Sequence, residues 1–305
     1  MGQTMRPPAG KARVAATVGF SAVLALSATA QDLRRVVDET GRRVVVPVRV
    51  ERIVSLAPSL TETLYALGVE SRLVGVTDWC NYPPAAKAKP SVGQVINPSL
   101  EKIVALKPDL VLGTTAGNRR ATVTAIERLG IPLYGFNPRS LEDVLLAIPT
   151  LADLLTVPEA GAELEAKLRR RLEAVAARIA ARPRPRVLFV LWLEPLMSIG
   201  RYTFVHDVLV QAGAESVAER PEDWPRLSLE AVLQQNPDYL ILAHSPAVER
   251  RLAALRADPV WSQLRALRED RVIVLDDAVL RPGPRIVDAI EQLAHVLHPE
   301  AFEPQ

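Results

Sequence analysis

One cysteine in 305 residues, Cys80, excludes any intrachain disulfide. With none placed just after an amino-terminal leader, a lipid-anchored cysteine is not expected either. Histidine is scarce and one-sided: His206, His244, His295 and His298 all fall in the second half. A bare zinc or manganese receptor that draws histidine from both halves is therefore excluded. The chain lacks G-x-S-x-G, H-E-x-x-H, a P-loop and a dinucleotide fingerprint. A dispersed catalytic triad leaves no such local signature, so an exported hydrolase stays open as the alternative, separable by turnover. Beyond residue 30 no stretch is long and apolar enough to cross a bilayer.

What the first 30 residues contain is Arg6, Lys11 and Arg13, an apolar run from Val14 to Leu26, and the small-residue site Ala28-Thr29-Ala30. That is the pattern of a secretory leader cleaved after Ala30, and it predicts a free periplasmic protein. Without those three basic residues the formal charge moves from +2 to −1, so nothing supports a nucleic-acid partner.

In the middle of the chain, Leu164, Leu168, Leu172, Val175 and Ile179 recur at helical spacing on one face. Charged residues fill the rest, with Glu163 before Lys167 and Glu165 before Arg169 one turn apart. The pattern predicts one helix from Pro158 to Ala181, ended by Arg182-Pro183-Arg184-Pro185 and about 35 Å long, enough to join two bodies. On its amino-terminal side, Arg35 to Val46 reads as a hairpin turning at Thr40-Gly41. Arg52 to Gly68 reads as a strand, a Ser59-x-x-Glu62 capping box and a helix. The apolar runs 73–76, 109–113 and 132–136 then alternate with helices over 100–106 and 119–129, and a further helix spans 140–155. After the long helix the alternation restarts, with strands over 186–192, 239–243 and 271–275 and helices near 205–212, 229–235 and 284–297. This predicts an α/β fold of two lobes, each with a mainly parallel central sheet, joined by one long helix. The leader would take residues 1–30, the first lobe 31–139, the linker with its helix 140–185, the second lobe 186–299 and a tail 300–305.

The lobes look like copies of each other. Ser99 to Gly113 and Ser228 to Leu242 align without a gap, sharing serine, leucine, glutamate, proline and aspartate, and Leu67 to Ser71 matches Ala212 to Ser216 in the same order. Two related α/β lobes leave a cleft at their strand carboxyl ends, which is where such sheets bind ligands. Three of the four tryptophans, Trp79, Trp192 and Trp224, fall in loops at those ends. They suit flat, rigid walls for a large planar ligand; the ordinary alternative is that each plugs the core of its own lobe. Tyr82 is read as a loop anchor beside the site. Arg281, in the turn before the last helix, stands where it could reach an anionic group, and His244 ends a strand near the cleft. Cys80 beside Trp79 is read as a small apolar residue.

Four stretches, RIVSLAPSLTETLYALG, VGVTDWCNYPP, SLEKIVALKPDLVLG and RPGPRI, resemble the periplasmic substrate-binding proteins of the cobalamin, haem and iron-siderophore importers, the cobalamin binders above all. The resemblance covers nearly all of the chain beyond the leader. It implies a helical-backbone binding protein whose lobes are held by a helix that permits only small movements, without a covalently held cofactor, acting as a monomer. The implied ligand is a large metal chelate, cobalamin or another corrinoid first and haem or a ferric siderophore second, handed to an inner-membrane ABC permease and its ATPase. By resemblance Trp79 and Trp224 occupy aromatic ligand positions, while Gln94 or Val95 and Thr114 stand where cobalamin binders carry further tryptophans. It also gives Glu101 and Glu230 a role: one acidic residue per lobe presented to arginines of the two permease subunits.

Overall fold

A computed structural model describes residues 1–2 and 32–303, so the leader and its cleavage site lie almost wholly outside the described residues. The chain enters through an antiparallel ribbon, β1 (Leu33–Val37) and β2 (Arg43–Pro47), turning at Gly41, whose φ of +83° is the left-handed conformation glycine adopts without cost. The first sheet is fully parallel in the order β4-β3-β5-β6, from β3 (Ile53–Ser55), β4 (Leu73–Gly75), β5 (Leu110–Thr114) and β6 (Leu133–Phe136). Its crossovers carry α1 (Pro58–Ala66), α2 (Leu100–Ala105) and α3 (Arg120–Arg128). Two long helices follow, α4 (Leu141–Leu154) and α5 (Pro158–Ile179). After β7 (Arg186–Phe189) a separate antiparallel hairpin forms from β8 (Trp192–Leu193) and β9 (Leu196–Met197), and the second sheet is again parallel, in the order β10-β7-β11-β12, from β7, β10 (Glu215–Ser216), β11 (Tyr239–Ala243) and β12 (Val272–Leu275). Between and after these strands run α6 (Phe204–Gln211), α7 (Leu229–Gln235), α8 (Val248–Ala257), α9 (Arg265–Arg268) and α10 (Ile286–Leu297).

The repeat read in the sequence is built as a repeat in space. β5 and β11 hold the same third place in their sheets. Ser99 and Ser228 cap the preceding helices through their hydroxyls, which accept from Lys102 N and Ala231 N at 3.3 and 3.2 Å. The matched residues Lys107 and Asn236 both leave their helices with positive φ, +46° and +42°. Asp109 Oδ2 accepts from Arg52 N, and Asp238 Oδ2 from Arg186 N, both at 2.9 Å. Arg52 and Arg186 in turn donate to the matched carbonyls Leu106 O, just after α2, and Gln235 O, at the end of α7. The duplication thus extends to the arginine that opens the first strand of each lobe.

Each strand alternates between two cores. Ile53, Leu110, Leu112, Val187, Phe189 and Ile241 face one continuous core that runs through α4, α5, α6 and α10 into both lobes. Val54, Val111 and Leu133 face a core private to the first lobe, and Leu188, Leu240 and Leu242 one private to the second. Leu168 and Val175 of α5 are buried in the shared core, and Leu164, Leu172 and Ile179 pack against it, as their spacing predicts. The antiparallel turn from α4 into α5 needs Gly161, because a Cβ there would lie 2.4 Å from Ala152 Cβ. On the polar side Glu165 pairs with Arg169 at 2.8 Å, and Arg169 also reaches Glu142 of α4 at 2.6 Å. Arg171 ties α5 to Asp288 and Glu291 of α10, at 2.6 Å each. Glu163 and Lys167 are both exposed and are not within ion-pair distance of each other.

Two local expectations are corrected. Ser59 and Glu62 do not form a capping box: α1 starts at Pro58 after Ala57, which makes no side-chain cap, and both residues are buried on the helix flank. The run Arg186–Trp192 is not one strand. It leaves the sheet after Phe189 and turns back as the hairpin β8–β9.

Candidate functional site

Because each sheet is parallel its strand carboxyl ends lie on one edge, and loops leaving those edges in both lobes line one cleft. Its main cavity, about 910 Å³, is lined from the first lobe by residues following β3, β4 and β5, including Pro58, Trp79, Val95, Ile96 and Gly117. From the second lobe come His244 and Pro246 after β11 and Asp277, Leu280 and Arg281 after β12. That volume lies toward the upper end of the ~300–1,000 Å³ of small-molecule sites, and most of the wall is apolar.

Trp79 is 55% exposed, which excludes a role as a core plug for this tryptophan. Its position is nonetheless fixed: Nε1 donates to Gln94 Oε1 at 3.1 Å, and Gln94 Nε2 donates to Asp78 Oδ2 at 3.0 Å. Gln94 thus serves as the brace of the indole. Trp224, 42% exposed, lines a second and smaller cavity of about 240 Å³ with Thr115, Asn137, Arg139 and Tyr202. The loop Thr115–Gly117 after β5 borders both cavities, so the two lie along one cleft. Trp192 lines neither; it stands 60% exposed on the β8–β9 hairpin, which is hydrogen-bonded to the segment after Trp224 through Ser198 N to Pro225 O and Leu227 N to Leu196 O. The fourth tryptophan, Trp261, is buried in the private core of the second lobe.

Arg281 is 8% exposed at the floor of the main cavity, and both terminal nitrogens of its guanidinium are hydrogen-bonded. It donates to Glu62 Oε1 at 2.7 Å, Asn81 Oδ1 at 2.9 Å and Asp277 Oδ2 at 2.6 Å. Arg285 adds a longer contact to Glu62 Oε1 at 3.5 Å, pairs with Asp276 at 2.8 Å, and lies 4.0 Å over the ring of Tyr82. Tyr82 therefore belongs to this inter-lobe network and to a groove beside α5, and not to the Trp79 cavity. The lobes touch closely here. A Cβ on Gly283 would come within 3.1 Å of Ser59 Cβ and carbonyl oxygen, so the turn Arg281–Pro284 needs glycine for backbone contact with α1. Burial pushes the Glu62 carboxyl above its usual range, against the hydrogen bond and charge of Arg281 and the charge of Arg285. At the other end of the cleft Arg139 meets both carboxylate oxygens of Asp223, at 3.1 and 3.3 Å.

Each lobe also presents one exposed carboxylate at a matched position. Glu101 and Glu230 occupy the second position of α2 and α7, directly after the serine caps. Cys80 is buried within the first lobe with Sγ 3.1 Å from Thr61 Oγ1 and 3.2 Å from Thr77 Oγ1. Sequence reasoning missed Glu62, Asn81 and Asp277. The positions of Asn81 and Asp277 just after strands were a usable signal, but nothing local marks Glu62 as the acid that Arg281 meets 219 residues later.

A family model described as periplasmic binding protein matches residues 53–279. A vitamin B12-binding protein of Vibrio cholerae is 30% identical over 254 residues, covering 82% of this chain and 90% of that one. The crystal structure of a periplasmic vitamin B12 binding protein of Vibrio cholerae superposes with a TM-score of 0.72 at 28% identity, over 84% of this chain and all of that one. A periplasmic heme binding protein from Pseudomonas aeruginosa superposes with a TM-score of 0.76 at 32% identity, over 84% and 95% of the two chains.

Proposed function

Because the chain belongs to the periplasmic binding protein family, we propose that it captures cobalamin or a related corrinoid in the inter-lobe cleft and delivers it to an inner-membrane ABC permease and its ATPase. It is exported by the leader over residues 1–30 with cleavage after Ala30, works as a monomer, and binds without turnover. The observation that carries the corrinoid over other chelates is the charge state of the cleft. Arg281 in the main cavity shares its guanidinium among two carboxylates and an amide oxygen, and Arg139 in the second cavity is held by Asp223. A ligand edged with neutral amides can hydrogen-bond to Asn81, Gln94, Asn97 and Asp277 along the lining without an uncompensated charge. Haem is the second reading, supported by the likeness to the Pseudomonas aeruginosa protein. Its two carboxylates would need cations that this cleft has already paired, and breaking those pairs is costly.

In this proposal Trp79 is the central aromatic wall, Trp224 walls the second cavity, Trp192 stands on the hairpin outside both cavities as an outer aromatic contact, and Arg281 fixes the floor, with Tyr82 holding Arg285 behind it. Trp79→Ala should lose about 2 kcal/mol of corrinoid affinity, roughly 30-fold in Kd, with little change in melting temperature. Loss of ~3–5 kcal/mol of stability with affinity retained would show instead that the indole holds the fold. The second expectation is a stiff receptor. The shared core and the α4–α5 pair leave no flexible double strand to bend, so X-ray scattering of free and corrinoid-saturated protein should give the same radius of gyration within error. A clear compaction on binding would contradict this rigidity.

A further inference from the structure

We infer that His244 is an axial ligand to the metal of a captured corrinoid that carries an exchangeable axial water; the inference rests on the corrinoid reading above. β11 ends at Ala243, and His244 N donates to Leu275 O at 2.7 Å, which fixes the residue at the junction of β11 and β12. Its side chain is exposed and forms part of the main cavity wall, on the lobe opposite Trp79 and among Val95, Ile96, Pro246 and Leu280. Among the described residues the His244 imidazole has no side-chain hydrogen bond or ion pair. The other histidines are placed elsewhere: His206 is buried beside Asp207, His295 stacks on Phe302 at 3.8 Å between centroids, and His298 is buried. Cys80, the other soft donor near the cleft, is held inside the first lobe by two threonines.

Of the polar side chains on this largely apolar wall, Gln94, Asn81, Asp277 and Arg281 are already tied into hydrogen bonds, whereas His244 brings a ring nitrogen lone pair that meets no protein partner among the described residues. A neutral imidazole nitrogen is a good ligand for cobalt and iron. With a planar chelate laid on the Trp79 face, a donor on the facing lobe addresses the ring's outer axial position. The step is a ligand exchange: the imidazole lone pair forms a nitrogen–cobalt(III) bond, the cobalt–water bond breaks, and water leaves. The oxidation state is unchanged, and the imidazole keeps the proton on its other nitrogen.

The probe is diaquocobinamide, which has exchangeable water on cobalt and no nitrogen base of its own. Dicyanocobinamide, with both axial positions blocked, is the control. With the purified protein, diaquocobinamide should shift its visible bands to those of a nitrogen-ligated cobalt, and dicyanocobinamide should quench tryptophan fluorescence without such a shift. His244→Ala should abolish the shift, and its loss of affinity should be at least tenfold larger for diaquocobinamide than for dicyanocobinamide. An unshifted spectrum of bound diaquocobinamide in the unmodified protein, or the same shift in His244→Ala, would overturn the assignment while leaving corrinoid capture intact. Failure of both cobinamides and of cyanocobalamin to quench the tryptophans would overturn the corrinoid reading and this inference with it.

Discussion

Reversing Glu101 and Glu230 together to arginine is expected to abolish ligand-dependent transport in reconstituted vesicles holding the cognate permease, with corrinoid affinity and melting temperature nearly unchanged. Both carboxylates are exposed and lie on α2 and α7, outside the cleft lining. As helix-start acids alone they would contribute only ~0.3–1 kcal/mol each. Their equivalence is what suits them to docking. The same serine-capped helix leads into the same third strand of each sheet, so on the proposed delivery to a permease of two subunits a pseudo-twofold receptor would present one charge to each. Removing one partner of a buried interfacial ion pair costs ~2–5 kcal/mol, and reversing two places like charges in contact. Transport at the unmodified rate would remove the docking role from these residues and leave ligand capture untouched.

Truncating Glu62 should be the most damaging single change to stability. Glu62, 4% exposed, is the first lobe's acid for Arg281, and Glu62→Ala leaves that buried guanidinium with Asp277 and Asn81 alone. Uncoupling a buried pair in this way costs ~3–5 kcal/mol, a fall in Tm on the order of 10 °C for a chain of this size. A pH series separates burial from pairing. Because burial holds the Glu62 carboxyl above its usual range, folding takes up protons at this site. Its contribution to stability is therefore fullest below the unfolded value near ~4.3 and is lost as pH rises through the raised folded value. Urea titrations from about pH 4 upward should show wild-type stability falling relative to Glu62→Gln across that window. A gap that widens in favour of wild type with rising pH would mean that the charge pair outweighs burial.

Most of the architecture was legible because it is local. Alternating apolar runs and helical spacing gave both parallel sheets, and the duplicated serine-to-aspartate phrase located the same αβ unit in each lobe. Long-range geometry was not legible. The Ser59 and Glu62 spacing satisfies a capping pattern, yet Pro58 already starts the helix, which turns both side chains toward the second lobe, where they meet Gly283 and Arg281. The apolar run over 186–192 continues past the point where the sheet ends, since Leu191 N bonds to Met197 O and apolarity alone does not register a change of hydrogen-bond partner. At the site, Trp79 and His244, both in segments that follow strands, line the main cavity. Tyr82, only three residues from Trp79, points into a different groove, because two neighbours in a loop need not face the same way.

The central claim is stoichiometric capture of a corrinoid in the cleft. Purified protein should be titrated with cyanocobalamin and, in parallel, with haem, following tryptophan fluorescence and the ligand's visible bands and recovering the ligand afterwards. The account predicts saturation at one cyanocobalamin per chain, recovery of the ligand chemically unchanged, and much weaker binding of haem. Stoichiometric haem capture without cyanocobalamin binding, or conversion of the ligand on the protein, would contradict it.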